Sequence, residues 1–422
     1  MFVIKRDKTR LALPRLASRR NLALHPLTVV TGLWGVLLGL YALHLSDLLL
    51  FPVRQLVPVV LAVWMPFAIV ALGYALWRPR ILRQGYQLNV PSRTQLAIIE
   101  KRLRLLFRFW IGAAIFETVV SGGVPVVWLF TNPAKTYMSY GVPSLHGLVN
   151  SLLMALIVSR VSLYLLSGEK RHLKLPLLSV FWWVALVTRG TIFFILAEST
   201  ILWLCIRPVK LKTITKIAAC TVIVVLFFGW VGDLRTGAEN FRELARPSAN
   251  YPLWLPSGVL WVYIYATTPI NNLEYTRSTR QPAYNPLLPH TLAQLLPTVV
   301  RNIVYGDDPG ELTGALVDPV ASNVSTAYLG PLEDFGLTAV FLFSMVTALF
   351  SQWYWYKPDP RSLLTFAVLT QCLLFSIFFD LFLALPIITQ IVWFALILRK
   401  TGDNIVVHSS RRPQPCALMP TP

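Results

Sequence analysis

Long apolar runs recur along the chain, and short basic segments separate most of them. A helix needs about 20 apolar residues to cross the hydrocarbon core of a bilayer. The runs therefore predict membrane spans at residues 26–50, 56–77, 109–130, 145–166, 217–232 and 336–356, with two more inside 363–398. The last pair is expected to turn near residues 380–386.

Two shorter apolar runs, residues 175–188 and 191–206, flank the pair Arg189-Gly190. Neither reaches ~20 residues, so they predict either two short helices that meet at a tight turn or one broken helix. With them, the chain is predicted to be an all-α polytopic membrane protein of about ten transmembrane helices. The segment 92–109 has amphipathic helical spacing and is predicted to lie along the lipid surface with its arginines at the headgroups.

One stretch, residues 233–335, departs from this pattern because it is long, mostly polar and free of lysine. Its apolar middle, residues 253–270, is predicted to be a re-entrant or interfacial segment, and an additional span is the alternative. The stretch divides the chain into five parts: a basic N-terminus (1–25), a first set of helices (26–232), the long loop (233–335), a second set of helices (336–398) and a basic tail (399–422).

Composition and charge set the class and the orientation. Hydrophobic residues make up 55% of the chain and charged residues 14%, whereas a soluble domain is nearer a quarter charged. The net charge of +19 would suit a nucleic-acid-binding protein, but most of the 38 lysines and arginines fall on one side of the predicted spans. Positive residues concentrate in the cytoplasmic loops of membrane proteins. We therefore expect no nucleic-acid partner, both termini in the cytoplasm and the long loop outside.

The long loop contains arginine but no lysine. A guanidinium group binds phosphate oxygens through two parallel hydrogen bonds, which an ammonium group cannot do. The alternative is that these arginines pair with loop carboxylates at the surface. As a set beside a membrane they predict an anionic ligand, bound by Arg235, Arg242, Arg246, Arg277, Arg280 and Arg301. The spacing of cysteines and histidines predicts no metal site.

Two further arginines lie nearer the bilayer. Arg189 stands beside a glycine at the predicted outer turn, where it would suit a pyrophosphate headgroup, although a snorkelling arginine at a helix end is the alternative. Arg160 lies inside the span 145–166 and is expected to form a buried ion pair with Glu117 or Glu198.

Polar residues also gather immediately before the span 336–356. Asn323, Thr326, Glu333 and Asp334 carry the amide, hydroxyl and carboxylate groups that bind sugar hydroxyls, and a carboxylate can act as a general base. If the segment is helical, Asn323 and Thr326 share one face. The alternative is that the set caps the following helix.

The segment NVSTAYLGPLEDFG, residues 323–336, resembles the N-V-x-T … D-F-G pattern of bacterial oligosaccharide repeat-unit polymerases, the Wzy-like O-antigen polymerases. Thr188-Arg189-Gly190 is similar to an S/T-R-G element of that group. The general layout resembles the family from about residue 109 to residue 398.

The resemblance implies a metal-independent membrane glycosyltransferase without a cofactor, on the outer side of the bacterial inner membrane. Its substrates would be oligosaccharides on undecaprenyl pyrophosphate, which leaves when a hydroxyl of one repeat unit attacks the anomeric carbon of another. Membrane lipid and a chain-length regulator protein are the other implied partners. Asp334, Glu333 and Arg189 would be catalytic, and the loop arginines with Asn323 and Thr326 would bind substrate.

Two other functions remain open. An O-antigen ligase would use the same chemistry and favours a histidine in the outer loop, where His290 qualifies. A transporter for the same lipid predicts repeats and polar spans along a path, and the chain shows only the scattered charges Glu117, Arg160 and Glu198.

Overall fold

The computed structural model describes residues 17–18, 21–77, 86–87, 93–132, 134–207, 237–252, 254–306, 314–357 and 359–399, with isolated positions inside 208–236. Within these ranges the fold is almost entirely helical, and the only strands, β1 (Ala17–Ser18) and β2 (Tyr86–Gln87), form one short antiparallel pair. The α-helices are α1 (Pro26–Ala42), α2 (Val53–Trp77), α3 (Arg93–Ser121), α4 (Pro125–Thr131), α5 (Leu145–Ser167), α6 (Lys174–Ala185), α7 (Arg189–Ile206), α8 (Ala238–Ala245), α9 (Ser257–Thr279), α10 (Pro289–Leu292), α11 (Thr298–Tyr305), α12 (Leu329–Tyr356), α13 (Pro360–Phe375) and α14 (Leu385–Ile397). Short 3-10 turns cover Leu22–Leu24, Tyr137–Ser139, Lys170–Leu173 and Ala293–Leu295.

Four helical stretches among the described residues are long and apolar enough to cross a membrane: Val53–Trp77, Thr94–Thr131, Leu145–Ser167 and Leu329–Tyr356. Shorter apolar helices, of 10 to 17 residues, cover Pro26–Ala42, Gly190–Ile206, Pro360–Phe375 and Leu385–Ile397. The all-helical class and the membrane-spanning character predicted from the sequence are confirmed at this level. The predicted span 217–232 lies mostly outside the described residues.

The amphipathic segment 92–109 is not a separate surface helix. It forms the first half of α3, which continues without interruption into the predicted span. No proline stands between residues 93 and 121 to end the helix. Arg102 in this basic half donates from Nη1 to the carbonyls of Ile397 (3.2 Å) and Arg399 (2.6 Å), so it binds the C-terminal end of α14.

The central helix is α5. Of the 18 residues in its most apolar segment, 72% are buried inside the protein. It packs along α14 through small and polar side chains. Thr389 Oγ1 donates to Ser151 Oγ at 2.9 Å, and Trp393 Nε1 donates to the same oxygen at 3.1 Å. Such contacts hold helices together in lipid, where the hydrophobic effect does not favour association.

The two short apolar runs around residue 189 form two helices, α6 and α7, rather than one broken helix. The connection is tight, and Val187 within it adopts a left-handed conformation with φ of 58°. Of the two possibilities that the sequence left open, the structure has the first.

The buried charges pair differently from the prediction. Arg160 contacts neither Glu117 nor Glu198. Its Nη1 instead lies 3.2 Å from Nδ1 of His172, a residue just beyond the end of α5. Glu117 lies 3.1 Å from His146 Nδ1, and Glu198 accepts a hydrogen bond of 2.7 Å from Gln390. The expected Arg160 ion pair was wrong because Glu117 contacts His146 on α5 and Glu198 contacts Gln390 on α14.

The apolar segment 253–270 lies mostly within α9, a helix of 23 residues. Its fully buried Asn271 accepts hydrogen bonds from Tyr41 Oη and Leu50 N, both 2.9 Å, and donates to Leu48 O at 2.9 Å. The Asn271 side chain thus joins α9 to the end of α1 and to the connection between α1 and α2. The helical part of residues 233–335 therefore packs against these helices.

Candidate functional site

The site is built around a break in α12. Phe335 and Gly336 leave the helical conformation, and Gly336 takes a left-handed φ of 65°, which glycine adopts without the steric cost of a side chain. The break frees the carbonyls of the preceding turn. Glu333 O and Asp334 O accept hydrogen bonds from Ala283 N (2.7 Å) and Tyr284 N (2.9 Å). The sequence Glu-Asp-Phe-Gly thus ends one helical turn and fixes it against the segment after α9.

Asp334 is fully buried and holds a neighbouring helix rather than capping its own. Its carboxylate accepts hydrogen bonds from the backbone of His290 (3.2 Å) and Thr291 (2.8 Å), in the first turn of α10. The close approach depends on Gly330, where a Cβ would lie 2.5 Å from His290 O. The carboxylate of Asp334 therefore places His290 relative to α12.

Glu333 points to the other side of the same turn and is 6% exposed. Arg280 Nη1 donates to its Oε1 at 3.0 Å. Its second oxygen, Oε2, faces His290 Nδ1 at 3.5 Å. Within the described part of the chain neither of these two buried atoms has a hydrogen-bond partner. Buried polar atoms are rarely left unpaired, so the pair is suited to meet polar groups of a ligand.

These side chains open onto a polar cavity of about 180 Å³. The polar side chains that line it are His290, Gln294, Asn323, Ser325, Thr326, Glu333 and Asp380. Asn323 and Thr326 would share one face only in a helix, and residues 322–326 contain no helix. The hydrogen bond from Ala327 N to Ser376 O, at 2.8 Å, joins this segment to the end of α13 instead. Both residues still face the cavity.

Asp380 also lines the cavity. The sequence predicted only a turn at this position and no functional role. Asp380 lies between α13 and α14, and its Oδ1 accepts hydrogen bonds from Phe382 N (2.8 Å) and Leu383 N (3.4 Å). Burial raises the pKa of Asp380 to about 7, against the lowering effect of these two backbone donors. No local sequence signal joins it to the motif of residues 323–336.

An apolar groove of about 820 Å³ lies beside the polar cavity. Its walls come from α12, α13, α14 and the region of α10, and its side chains are almost all apolar, including Leu342, Phe343, Val346, Phe350 and Leu369. Residues of the helical turn before the break in α12 line both the cavity and the groove. Gly330 and Glu333 line the cavity, whereas Pro331 and Phe335 line the groove.

The loop arginines that the structure describes are spread over several elements. Among them, Arg280 contacts a cavity residue, Glu333. Arg277 pairs with Glu274 on its own helix, which raises the arginine pKa, and Arg246 pairs with Asp318 at 2.8 Å. The other predicted positions are spread further: exposed Arg242 on α8, Arg301 on α11, Arg189 at the start of α7 with its side chain outside the described part, and Arg235 outside the described residues.

No protein-family model, no curated protein and no solved structure matches the chain. The functional assignment consequently rests on the residues and the geometry of the cavity and the groove.

Proposed function

We propose that the chain is a glycosyltransferase of the bacterial inner membrane that joins oligosaccharide repeat units carried on undecaprenyl pyrophosphate. The observation that carries the proposal is the contact between a polar cavity and an apolar groove across one helical turn, residues 329–335. A lipid-linked sugar has the same division, with a hydroxyl-rich head and a long hydrocarbon chain. The resemblance of residues 323–336 to the polymerase pattern supports the same assignment.

The cavity residues suit the sugar end. Glu333 Oε2 and His290 Nδ1 face each other at 3.5 Å without a hydrogen-bond partner among the described residues, so both can bind sugar hydroxyls. Asn323 and Thr326 supply an amide and a hydroxyl. Arg280 holds Glu333 and adds a positive charge beside the position where a diphosphate would leave. Fixed charges of this kind stabilise the negative charge that develops as the bond to the leaving group breaks.

The groove suits the lipid end, and a matched pair of substitutions tests it. Val346 lines the groove, whereas Leu349, three residues on in the same helix, does not, and both side chains are about half exposed (50% and 45%). Val346→Trp should block the groove and lower turnover at subsaturating substrate, whereas Leu349→Trp should leave it unchanged. Equal rates in the two variants would exclude the groove as the lipid site.

The function itself is tested in a strain that lacks the gene. Loss of the long-chain surface polysaccharide with accumulation of lipid-linked single repeat units is the expected result. The purified protein in liposomes should then convert those accumulated units into a ladder of longer chains. A deletion strain with an unchanged polysaccharide ladder would contradict the proposal.

A ligase-type transferase is the second candidate, and one observation favours it. His290, the histidine of the long loop, lines the cavity beside Glu333. A ligase moves a finished glycan, so its deletion should leave polymer on the lipid carrier and remove it only from the final acceptor. The length of the carrier-bound glycan in the deletion strain separates the two activities.

A further inference from the structure

We propose that the carboxylate of Asp380 takes the proton from the attacking sugar hydroxyl. The inference rests on the proposed function and names the general base of that same cavity. It replaces Asp334, the aspartate inside the sequence motif, in that role.

Position is the first argument. Asp380 lines the polar cavity together with Glu333 and His290, but it comes from the turn between α13 and α14 rather than from α12 or α10. The two backbone donors, Phe382 N and Leu383 N, both bind Oδ1 and fix the direction of the side chain. Within the described residues, Oδ2 makes no hydrogen bond, so one lone pair remains for a substrate proton.

The other two carboxylates of the region are already engaged. Both oxygens of Asp334 accept backbone hydrogen bonds from α10, and Asp334 lines neither the cavity nor the groove. Glu333 lines the cavity, but Arg280 donates to its Oε1 at 3.0 Å and its Oε2 faces His290 Nδ1 at 3.5 Å. Asp380 has no ion pair with a cation of the described residues. Of the three, Asp380 is the one that lines the cavity with an oxygen facing neither a cation nor a backbone donor among the described residues.

The proton affinity of Asp380 agrees with this role. Burial raises its pKa to about 7, and a general base works best when its pKa lies near the working pH. The titratable groups around it are Glu333 and His290, which line the same cavity, and Tyr328 and Cys372, which interact with Asp380 electrostatically. Among the described residues, no lysine or arginine lines the cavity.

The step balances without another reactant. The hydroxyl oxygen of the acceptor sugar forms a bond to the anomeric carbon of the donor, and the bond from that carbon to the diphosphate oxygen breaks. The electron pair of the broken bond leaves with the lipid diphosphate. The hydroxyl proton passes to Asp380 Oδ2 and is later released to water.

Asp380→Asn is the central test because asparagine retains a carbonyl oxygen for the two backbone donors but cannot accept a proton. The assay uses the full-length protein in liposomes with lipid-linked repeat units accumulated by the deletion strain. Asp380→Asn should lower the rate at saturating substrate about 100-fold or more, the usual contribution of a general base. KM should change little. Asp380→Glu should recover part of the rate.

A pH profile separates proton transfer from a structural role. The wild-type rate should rise as pH increases through about 7, because only the deprotonated carboxylate is a base. This increase of the rate with pH should be absent in Asp380→Asn, and its midpoint should move to a different pH in Asp380→Glu. Asp359→Asn is the matched control: Asp359 also accepts a turn hydrogen bond, from Ser362 N at 3.0 Å, but does not line the cavity. Its rate and profile should match the wild type.

Two outcomes would overturn the inference while leaving the proposed function intact. One is a folded Asp380→Asn protein that restores a normal ladder in the deletion strain. The other is an Asp380→Asn protein whose rate still increases with pH as it does in the wild type. A deletion strain that retains its ladder, in contrast, would contradict the proposed function itself.

Discussion

Two clusters of arginine, glutamate and histidine invite comparison: a cavity cluster, beside the polar cavity, and an opposite cluster, around the C-terminal end of α5. The cavity cluster consists of Arg280, Glu333 and His290. The opposite cluster consists of Arg160, Glu100, Glu169, Arg171 and His172. The residue types are the same, and the chain reads as polar and charged at both places.

The difference lies in what remains unpaired. In the opposite cluster Arg171 donates to both Glu100 (2.8 Å) and Glu169 (2.5 Å). The three groups Glu100, Glu169 and His172 place ligand atoms within 4.8 Å of one another, as a metal site would, but Arg171 already binds both carboxylates. In the cavity cluster, Glu333 Oε2 and His290 Nδ1 have no hydrogen-bond partner in the described chain. Unused hydrogen-bonding capacity beside an open space distinguishes a candidate site from an ion-pair network.

The largest expected effect tests the cavity cluster directly. Arg280 binds Glu333 Oε1 and Gly314 O with separate guanidinium nitrogens, an arrangement that lysine cannot reproduce. Arg280→Lys should lower polymer formation in liposomes on the order of 100-fold. Arg277→Lys is the control, since Arg277 pairs with Glu274 away from the cavity. Equal losses in both variants would mean that the loop arginines act through overall charge.

A smaller effect on activity, but a clear one on stability, is expected for Asp334→Asn. The asparagine NH₂ group would face one of the two backbone donors that the carboxylate now accepts, leaving it unpaired at a cost of about 1–3 kcal/mol. The melting temperature and the amount in the membrane should fall, and lost activity should follow lost folded protein.

Asp318→Asn provides the comparison for that loss. Asp318 also accepts two backbone hydrogen bonds, from Val320 and Ala321, but on a single oxygen that an asparagine carbonyl can replace. The substitution also removes the ion pair with the exposed Arg246, which contributes about 0–1 kcal/mol. Its destabilisation should be smaller than that of Asp334→Asn. A stable but inactive Asp334→Asn protein would show that Asp334 takes part in the reaction and is not only structural.

The opposite cluster should show itself in acid stability rather than in activity. Burial, then the adjacent Arg160, lowers the pKa of His172 below its usual 6.5. Glu100 and Glu169 oppose the shift. As pH falls below about 6.5 the unfolded chain takes up this proton before the folded protein does, so the stability present above that pH declines towards the folded pKa. His172→Gln should remove this part of the decline in melting temperature between pH 7 and pH 5.

The smallest effect is expected for Arg171→Gln. The Arg171 side chain is 61% exposed, and exposed ion pairs contribute about 0–1 kcal/mol. Polymer formation should match the wild type, and the melting temperature should change little. A loss of activity as large as that of Arg280→Lys would erase the distinction between the two clusters.

The sequence predicted the helical class, offered two short helices around residue 189 as one of two possibilities, and grouped Glu333, Asn323 and Thr326, which all line the cavity. Each of these lies within one run or one motif. It missed Asp380 and mispaired Arg160 because those contacts depend on how distant helices pack. Asp380 joins Glu333 only because the α13–α14 turn lies beneath residues 323–327, as the bond from Ala327 to Ser376 shows.

The hydrogen bond between Glu198 and Gln390 joins residues 192 positions apart in the chain. During synthesis at about 5–20 residues per second, α7 reaches the translocon about 10–40 s before the helix that carries Gln390. Through that interval Glu198 lacks the one hydrogen-bond partner that it has among the described residues. Insertion of α7 should therefore be less favourable until α14 has been made, and ribosome-stalled chains truncated before residue 385 should insert α7 to a smaller extent than the full chain.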